Sequence, residues 1–220
     1  MKLGSRKYAS NNGRLRSLTQ LRENMKDKET EKRTKIALWF AAGVLAMTIL
    51  LCAIFQNESM QKKYLYPYPY QTYVEAYSTA NGVDSALAAS VIMNESKFRS
   101  DVHSHRGAIG LMQIMPETGE WIAGQLDEEE FVPEKLHDPE TNIRYGIWYL
   151  AELKREFYGN DIFALAAYNA GRGTVREWME EKHWKKDFHA ISEIPYPETR
   201  EYVVKVLKNK EKYQKLYARH

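Results

Sequence analysis

The sequence predicts an all-α domain preceded by a single membrane-spanning helix. Three observations carry this. A run of 20 residues without a charge occupies positions 36–55. From residue 71 onward, apolar residues recur at helical spacing between recognisable start and stop signals. No stretch alternates with period two for long enough to make a strand.

The charge-free run, IALWFAAGVLAMTILLCAIF, would span ~30 Å as a helix, the thickness of a bilayer's hydrocarbon core. Lys32, Arg33 and Lys35 precede it, whereas Gln56, Asn57 and Glu58 follow it. The positive-inside rule therefore keeps residues 1–35 in the cytoplasm and exports everything after residue 55. A cleaved signal peptide would have a shorter apolar region and a small-residue cleavage site. A lipoprotein signal would place a small residue before the cysteine, but Leu51 precedes Cys52. As the single cysteine, Cys52 has no intrachain partner and reads as an apolar filler within the span.

Charge divides the chain. Residues 1–35 carry 11 Lys/Arg and 4 Asp/Glu, so the whole-chain net charge of +3 leaves the remainder negative. A nucleic-acid-binding domain would carry its basic residues on the folded part, so none is expected here. The head has too few apolar residues to build a core and reads as a disordered basic tail that fixes topology and touches anionic lipid.

Residues 56–70 read as a juxtamembrane linker, because Pro67 and Pro69 exclude a regular helix. Its tyrosines suit either the membrane interface or packing on the domain. The domain itself is expected over 71–220. A short helix at 72–80 ends at Asn81-Gly82. Asp84 caps an apolar run at 86–98, and Pro116 opens a helix to about residue 123. Asp138-Pro139 starts an amphipathic stretch to 157, and Gly159-Asn160-Asp161 separates it from a helix at 162–168. Gly171 and Gly173 make the next turn before 175–180. Pro195 and Pro197 precede a closing helix at 198–216.

Three features depart from packing alone. Glu95 lies at the end of the apolar run Leu87-Ala-Ala-Ser-Val-Ile-Met-Asn-Glu. Desolvation and the helix dipole both disfavour a carboxylate there and raise its pKa toward the range of a general acid. Spacing alone does not separate this from a glutamate on the wet face. Gln113 is the one polar side chain among Leu111, Met112, Ile114 and Met115, and a buried glutamine needs partners that a sugar could supply. Tyr168 and Asn169 end a helix in AYNAG, an arrangement that suits a carbohydrate cleft edge or, for the tyrosine, simple core packing. His103 and His105 read as loop residues, and Asp101 as a loop or capping residue. The exported part has no Cys/His cluster with ligand spacing, so no metal or cofactor is expected.

Taken in order, Asn94-Glu-Ser-Lys-Phe98, GAIGLMQIMPETG (107–119), AYNAG (167–171) and IPYPETREYV (194–203) resemble lytic transglycosylases of the soluble-lytic-transglycosylase type. The resemblance covers about residues 66–215. It implies a lysozyme-like fold of the goose type and action on the glycan strands of peptidoglycan. Glu95 would be the single catalytic acid and base, with Ser96 holding the local geometry. Gln113 and Met115 would line subsites, Tyr168 and Asn169 would face the sugar, and Glu198 would bind saccharide or brace the cleft. The implied product is a 1,6-anhydro sugar formed without water. Alternatives left open are a muramidase of the same fold, a non-catalytic wall-binding protein, and a wall-opening accessory of a secretion, conjugation or sporulation machine.

Overall fold

The computed structural model describes residues 5–128 and 130–218, with side chains described at residue 20 and from residue 22 on. The described chain forms two units, divided between Asn57 and Glu58.

The first unit is one helix, α1 (Ser5–Gln56). Its Arg22–Gln56 portion has a mean hydropathy of 2.4 over its most apolar window, and none of that window is buried in the fold. Trp39, Phe40, Leu45 and Ile49 all face outward. The helix continues through the basic stretch expected to be disordered; the first four residues of that stretch lie outside the described ones. A helix needs no core to close its own backbone bonds, and i,i+4 pairs add support: Glu29 accepts from Arg33 at 2.8 Å and Glu31 from Lys35 at 2.6 Å.

The second unit begins at Glu58, ahead of the start expected at Gln71. A short α2 (Glu58–Met60) runs into a π-turn (Gln61–Leu65). Residues 66–68 then lie against the end of the chain's last helix, α9 (Pro197–Tyr217). Tyr213 donates to the Pro67 carbonyl at 2.9 Å and Tyr217 to the Tyr66 carbonyl at 2.7 Å. Tyr68 packs edge-on against both rings. Tyr66, Tyr68 and Tyr70 of the linker therefore pack on the domain, while Tyr64 is exposed. Tyr213→Phe and Tyr217→Phe keep the rings but remove the donors, and each is expected to cost about 1 kcal/mol in urea unfolding. No change in either would mean the strap is open in solution.

The rest is helical, in the order the sequence predicts: α3 (Gln71–Asn81), α4 (Ser85–Glu95), α5 (Pro116–Gln125), α6 (Pro139–Glu156), α7 (Asp161–Ala170) and α8 (Arg172–Glu181), then α9. Caps fix several starts. Asp84 accepts from the Ala86 amide, Asp138 from Thr141, and Asn160 from Ile162 and Phe163. Gly82 closes α3 in the left-handed region at φ 66°.

Two boundaries differ from expectation. The apolar run of α4 stops at Glu95, because Lys97 and Phe98 take positive φ (53° and 59°) and turn Phe98 into the Tyr68–Tyr213 ring cluster. The turn between α7 and α8 needs Gly171 alone, at φ 93°, while Gly173 lies inside α8.

The core is centred on α4, whose residues Ala86, Leu87, Ala88, Ala89, Ser90, Val91 and Ile92 are all buried. α4 packs on α9, α3 on α6, and α7 against α6, α8 and α9. Among the described residues there is no strand, only isolated bridges at His103–Ile109 and Ile109–Ile114.

Candidate active site

An apolar helix packed into the core carries the acid. α4 is buried over residues 86–92, packs on α9 and ends on half-buried Glu95. Tyr202, projecting from α9, donates its hydroxyl to Glu95 Oε1 at 2.7 Å. Burial pushes the Glu95 carboxyl up to about 7, against the Tyr202 hydrogen bond, which favours the charged form. A carboxyl poised there can both give and take a proton near neutral pH.

Ser96 is 1% exposed and caps the helix from below. Its amide and hydroxyl both donate to the Ile92 carbonyl, at 3.0 and 3.3 Å. Its own carbonyl accepts from the Arg99 amide and Nε, at 3.2 and 3.1 Å. The two left-handed residues that follow cost on the order of 1–2 kcal/mol each. The buried Phe98 ring offsets part of this strain, so the turn after the acid is held by packing.

The loop before α5 is tied to the acid's surroundings through Tyr168, which bonds it and feels the Glu95 charge. Gly110 sits at φ 77°, and a Cβ there would collide with Asn142 Nδ2 and lie 2.6 Å from the Leu136 carbonyl. Fully buried Asn142, on α6, holds the loop from beneath. It accepts from the Met112 amide at 2.8 Å and donates to the Ile109 and Leu136 carbonyls at 2.9 and 2.8 Å. Gln113 lies in the left-handed region at φ 49° and donates through Nε2 to the Val102 and Gly110 carbonyls, at 3.0 and 2.9 Å. The partners the sequence asked for are thus the loop's own carbonyls, and Oε1 is what Gln113 has left to offer a ligand. Met115 is half-buried at the N-cap of α5.

Tyr168, on α7, donates to the Met112 carbonyl at 2.8 Å and so bolts its helix to this loop. Burial, and then the nearby Glu95 charge, hold its phenol well above the usual range. Tyr202 is raised for the same two reasons. Glu95, Tyr168 and Tyr202 therefore form one electrostatic cluster.

Asn169 is exposed, and its Oδ1 accepts from Thr199 at 2.8 Å, tying the end of α7 to the first turn of α9. Glu198, beside Thr199 in that turn, is exposed and makes no contact with Glu95. Beyond Tyr168, whose ring lies 5.7 Å from that of Tyr149, a hollow of about 340 Å³ is lined by Glu117, Thr118, Trp121, Tyr149 and Arg172. Among the described residues no group of His, Cys, Asp or Glu could hold a metal ion.

Sequence reasoning missed Tyr202, Asn142 and Thr199. A signal for Tyr202 existed: it lies four residues after Glu198, on the same face of the closing helix. Tyr202→Phe removes the bond that lowers the Glu95 pKa, so that pKa is expected to rise further above about 7. A carboxyl-carbon NMR titration reads this directly; an unchanged midpoint would dismiss Tyr202 as the partner.

One shielded acid, a phenol held against it and a loop tied to the same cluster by Tyr168 place the molecule among helical domains equipped for proton transfer at a single carboxyl. The profile of the transglycosylase SLT domain family matches residues 72–191, and the chain belongs to that family. It is 38% identical over 144 residues to the soluble lytic murein transglycosylase of Escherichia coli strain K12, covering 64% of this chain and 22% of that protein. A membrane-bound lytic murein transglycosylase F from Desulfosudis oleivorans is 36% identical over 110 residues, covering 47% of this chain and 22% of that one. The crystal structure of the 70-kDa soluble lytic transglycosylase of Escherichia coli superposes with a TM-score of 0.65 at 34% identity, covering 70% of this chain and 25% of that one. That of an inactive glutamate-to-glutamine mutant of the lytic transglycosylase Slt from Pseudomonas aeruginosa gives 0.62 at 30%, covering 80% and 30%. The chain thus spans about a quarter of the length of these relatives.

Proposed function

We propose that this chain is a membrane-anchored lytic transglycosylase that cleaves the β-1,4 bond between N-acetylmuramic acid and N-acetylglucosamine in peptidoglycan. The observation that carries the reading is Glu95: one carboxyl, raised to about 7 by burial and held by Tyr202.

The chemistry asks for one such group. Protonated Glu95 gives its proton to the glycosidic oxygen as the bond to the muramic C1 breaks. Positive charge at C1 is taken up by the sugar's own 2-acetamido carbonyl, the substrate-assisted variant of glycoside cleavage. Glu95 is then a carboxylate, the form that the Tyr202 hydroxyl favours. It removes the proton from the C6 hydroxyl, whose oxygen attacks C1. The 1,6-anhydro ring closes, Glu95 is protonated again, and no water is consumed.

The same reading assigns supporting roles. Ser96 fixes the end of α4, and Gln113 Oε1 and the Tyr168 oxygen are acceptors for sugar hydroxyls. Met115 offers an apolar wall, and Asn169 and Glu198 supply polar groups at the mouth. The hollow at Trp121 and Tyr149 gives aromatic faces on which further sugar rings can stack.

The anchor reading rests on the apolar helix at Arg22–Gln56 and on relatives named as membrane-bound enzymes. The basic flank before residue 36 supports a cytoplasmic N-terminus and an extracytoplasmic domain.

Mass spectrometry of muropeptides released from purified peptidoglycan tests the reaction. Products lighter than the hydrolytic ones by the mass of one water are expected. Reducing-end products would instead make the protein a muramidase, and no release would remove the enzymatic reading.

A further inference from the structure

One face of α8 serves two hollows. The hollow beside Trp121 and Tyr149 includes Arg172, the first residue of that helix. A second hollow, of about 330 Å³, has a lining that includes Glu156 at the end of α6, Tyr158, Arg176, Met179, Glu180 and Trp184. Positions 172, 176, 179 and 180 recur at helical spacing, so they share one face of α8. Arg172 and Glu180 are about 12 Å apart along the axis.

The two hollows are joined by an ion group. Glu156 accepts from Arg172 and, at 2.5 Å, from Arg176 Nε. Arg172 in turn lies 5.4 Å over the Trp121 ring, and Trp121 lies 6.1 Å from Tyr149. Tyr149 meets Tyr168, whose phenol feels the Glu95 charge. A chain of rings and paired charges therefore leads from the acid to the second hollow.

Tyr158 is the odd residue of the second hollow. It follows the last turn of α6 in the left-handed region, at φ 58°, where glycine or asparagine is the usual choice. That conformation costs on the order of 1–2 kcal/mol, and burial does not offset it, because Tyr158 is 70% exposed. Trp184 is fixed beside the hollow by Phe188, 4.1 Å away between ring centroids, and by the bond from its Nε1 to Glu193 at 3.1 Å. An outward tyrosine and a fixed indole can cover the C–H faces of a pyranose. Arg176 and Glu180 add donors and acceptors for its hydroxyl and acetamido groups.

We propose, resting on the glycan-cleaving reading of Glu95, that the second hollow is a remote saccharide subsite holding the same strand whose scissile bond lies at the acid. The strand is then gripped well beyond the cleft, and long strands bind better than short ones. Glu156 is already paired and the lining carries both signs of charge, which suits an uncharged, hydroxyl-rich polymer over an ion.

The test is an NMR titration of the full chain carrying Glu95→Gln, in detergent micelles, with chitohexaose beside chitotriose. Their β-1,4-linked N-acetylglucosamine units stand in for the strand. Chitohexaose is expected to shift the Gln113 side-chain amide and the Trp184 indole N–H with one midpoint, and to bind more tightly than chitotriose. Tyr158→Asn removes the ring but keeps a residue at ease in the left-handed region, so the fold is retained. It is expected to weaken chitohexaose about fivefold and to leave the chitotriose midpoint at Gln113 unchanged. A Trp184 indole silent toward chitohexaose, separate midpoints at the two reporters, or indifference to Tyr158→Asn would overturn the remote subsite and leave the reading of Glu95 standing. No shift at Gln113 with either sugar would overturn both. A Trp184 response to an acetylated stem-type tripeptide and not to sugar would give the hollow to peptide and overturn the subsite alone.

Discussion

Glu95→Gln is expected to lower muropeptide release by about a thousandfold, the scale of losing a positioned general acid and base. Glutamine still accepts from Tyr202, so the cleft stays formed and substrate affinity changes little. The wild-type rate should fall as pH rises through about 7, because the first step needs the protonated carboxyl. The same group gives a sign-specific effect on stability. Its folded pKa lies above the ordinary 4.5, so the folded state holds the proton more tightly between about 4.5 and about 7. Glu95 therefore withdraws stability as pH rises through that window, and the loss levels off above it. Glu95→Gln should be more stable than wild type at pH 8, by up to about 3 kcal/mol, and no different at pH 4. Denaturant unfolding at the two pH values reads this. A mutant as labile as wild type at pH 8 would mean that Glu95 is solvated.

Asn142→Ala is expected to be the most damaging substitution for the fold that touches no substrate. It strands the buried Met112 N–H and Leu136 carbonyl and takes one of two donors from the Ile109 carbonyl, which keeps the Ile114 amide at 3.1 Å. Partial relaxation brings the expected loss to about 3–5 kcal/mol by chemical denaturation. Asn142→Asp is no rescue, since it sets carboxylate lone pairs against two carbonyls. A loss below about 1 kcal/mol would mean that water can replace the amide, and that the loop is not held as drawn.

How much was legible in the sequence depended on whether the signal was local. The helices announced themselves through caps, prolines and apolar spacing, and Glu95 stood out because a charge ends an otherwise buried run. The end of α4 was misjudged because apolar Phe98 prolongs the pattern, whereas the side chain is buried through a left-handed turn toward rings distant in sequence. Gln113 was correctly marked as needing partners, but Val102 and Gly110 supply them through a backbone conformation that no spacing rule reports. Asn142 looked like any polar residue in the first turns of an amphipathic helix. Its three bonds all run to other segments, two of them across thirty or more positions. From the closing helix, the side chain that touches the acid is Tyr202, four residues beyond Glu198 of the motif.

The tyrosine strap has a mechanical meaning. A tug on the chain at Glu58 travels through Tyr66 and Pro67 to Tyr217 and Tyr213, and so onto α9. The load is then borne by the helix that also carries Tyr202, pressed lengthwise against the helix that ends in Glu95. Tension arriving at Glu58 along this route reaches the two helices that set the protonation of the acid.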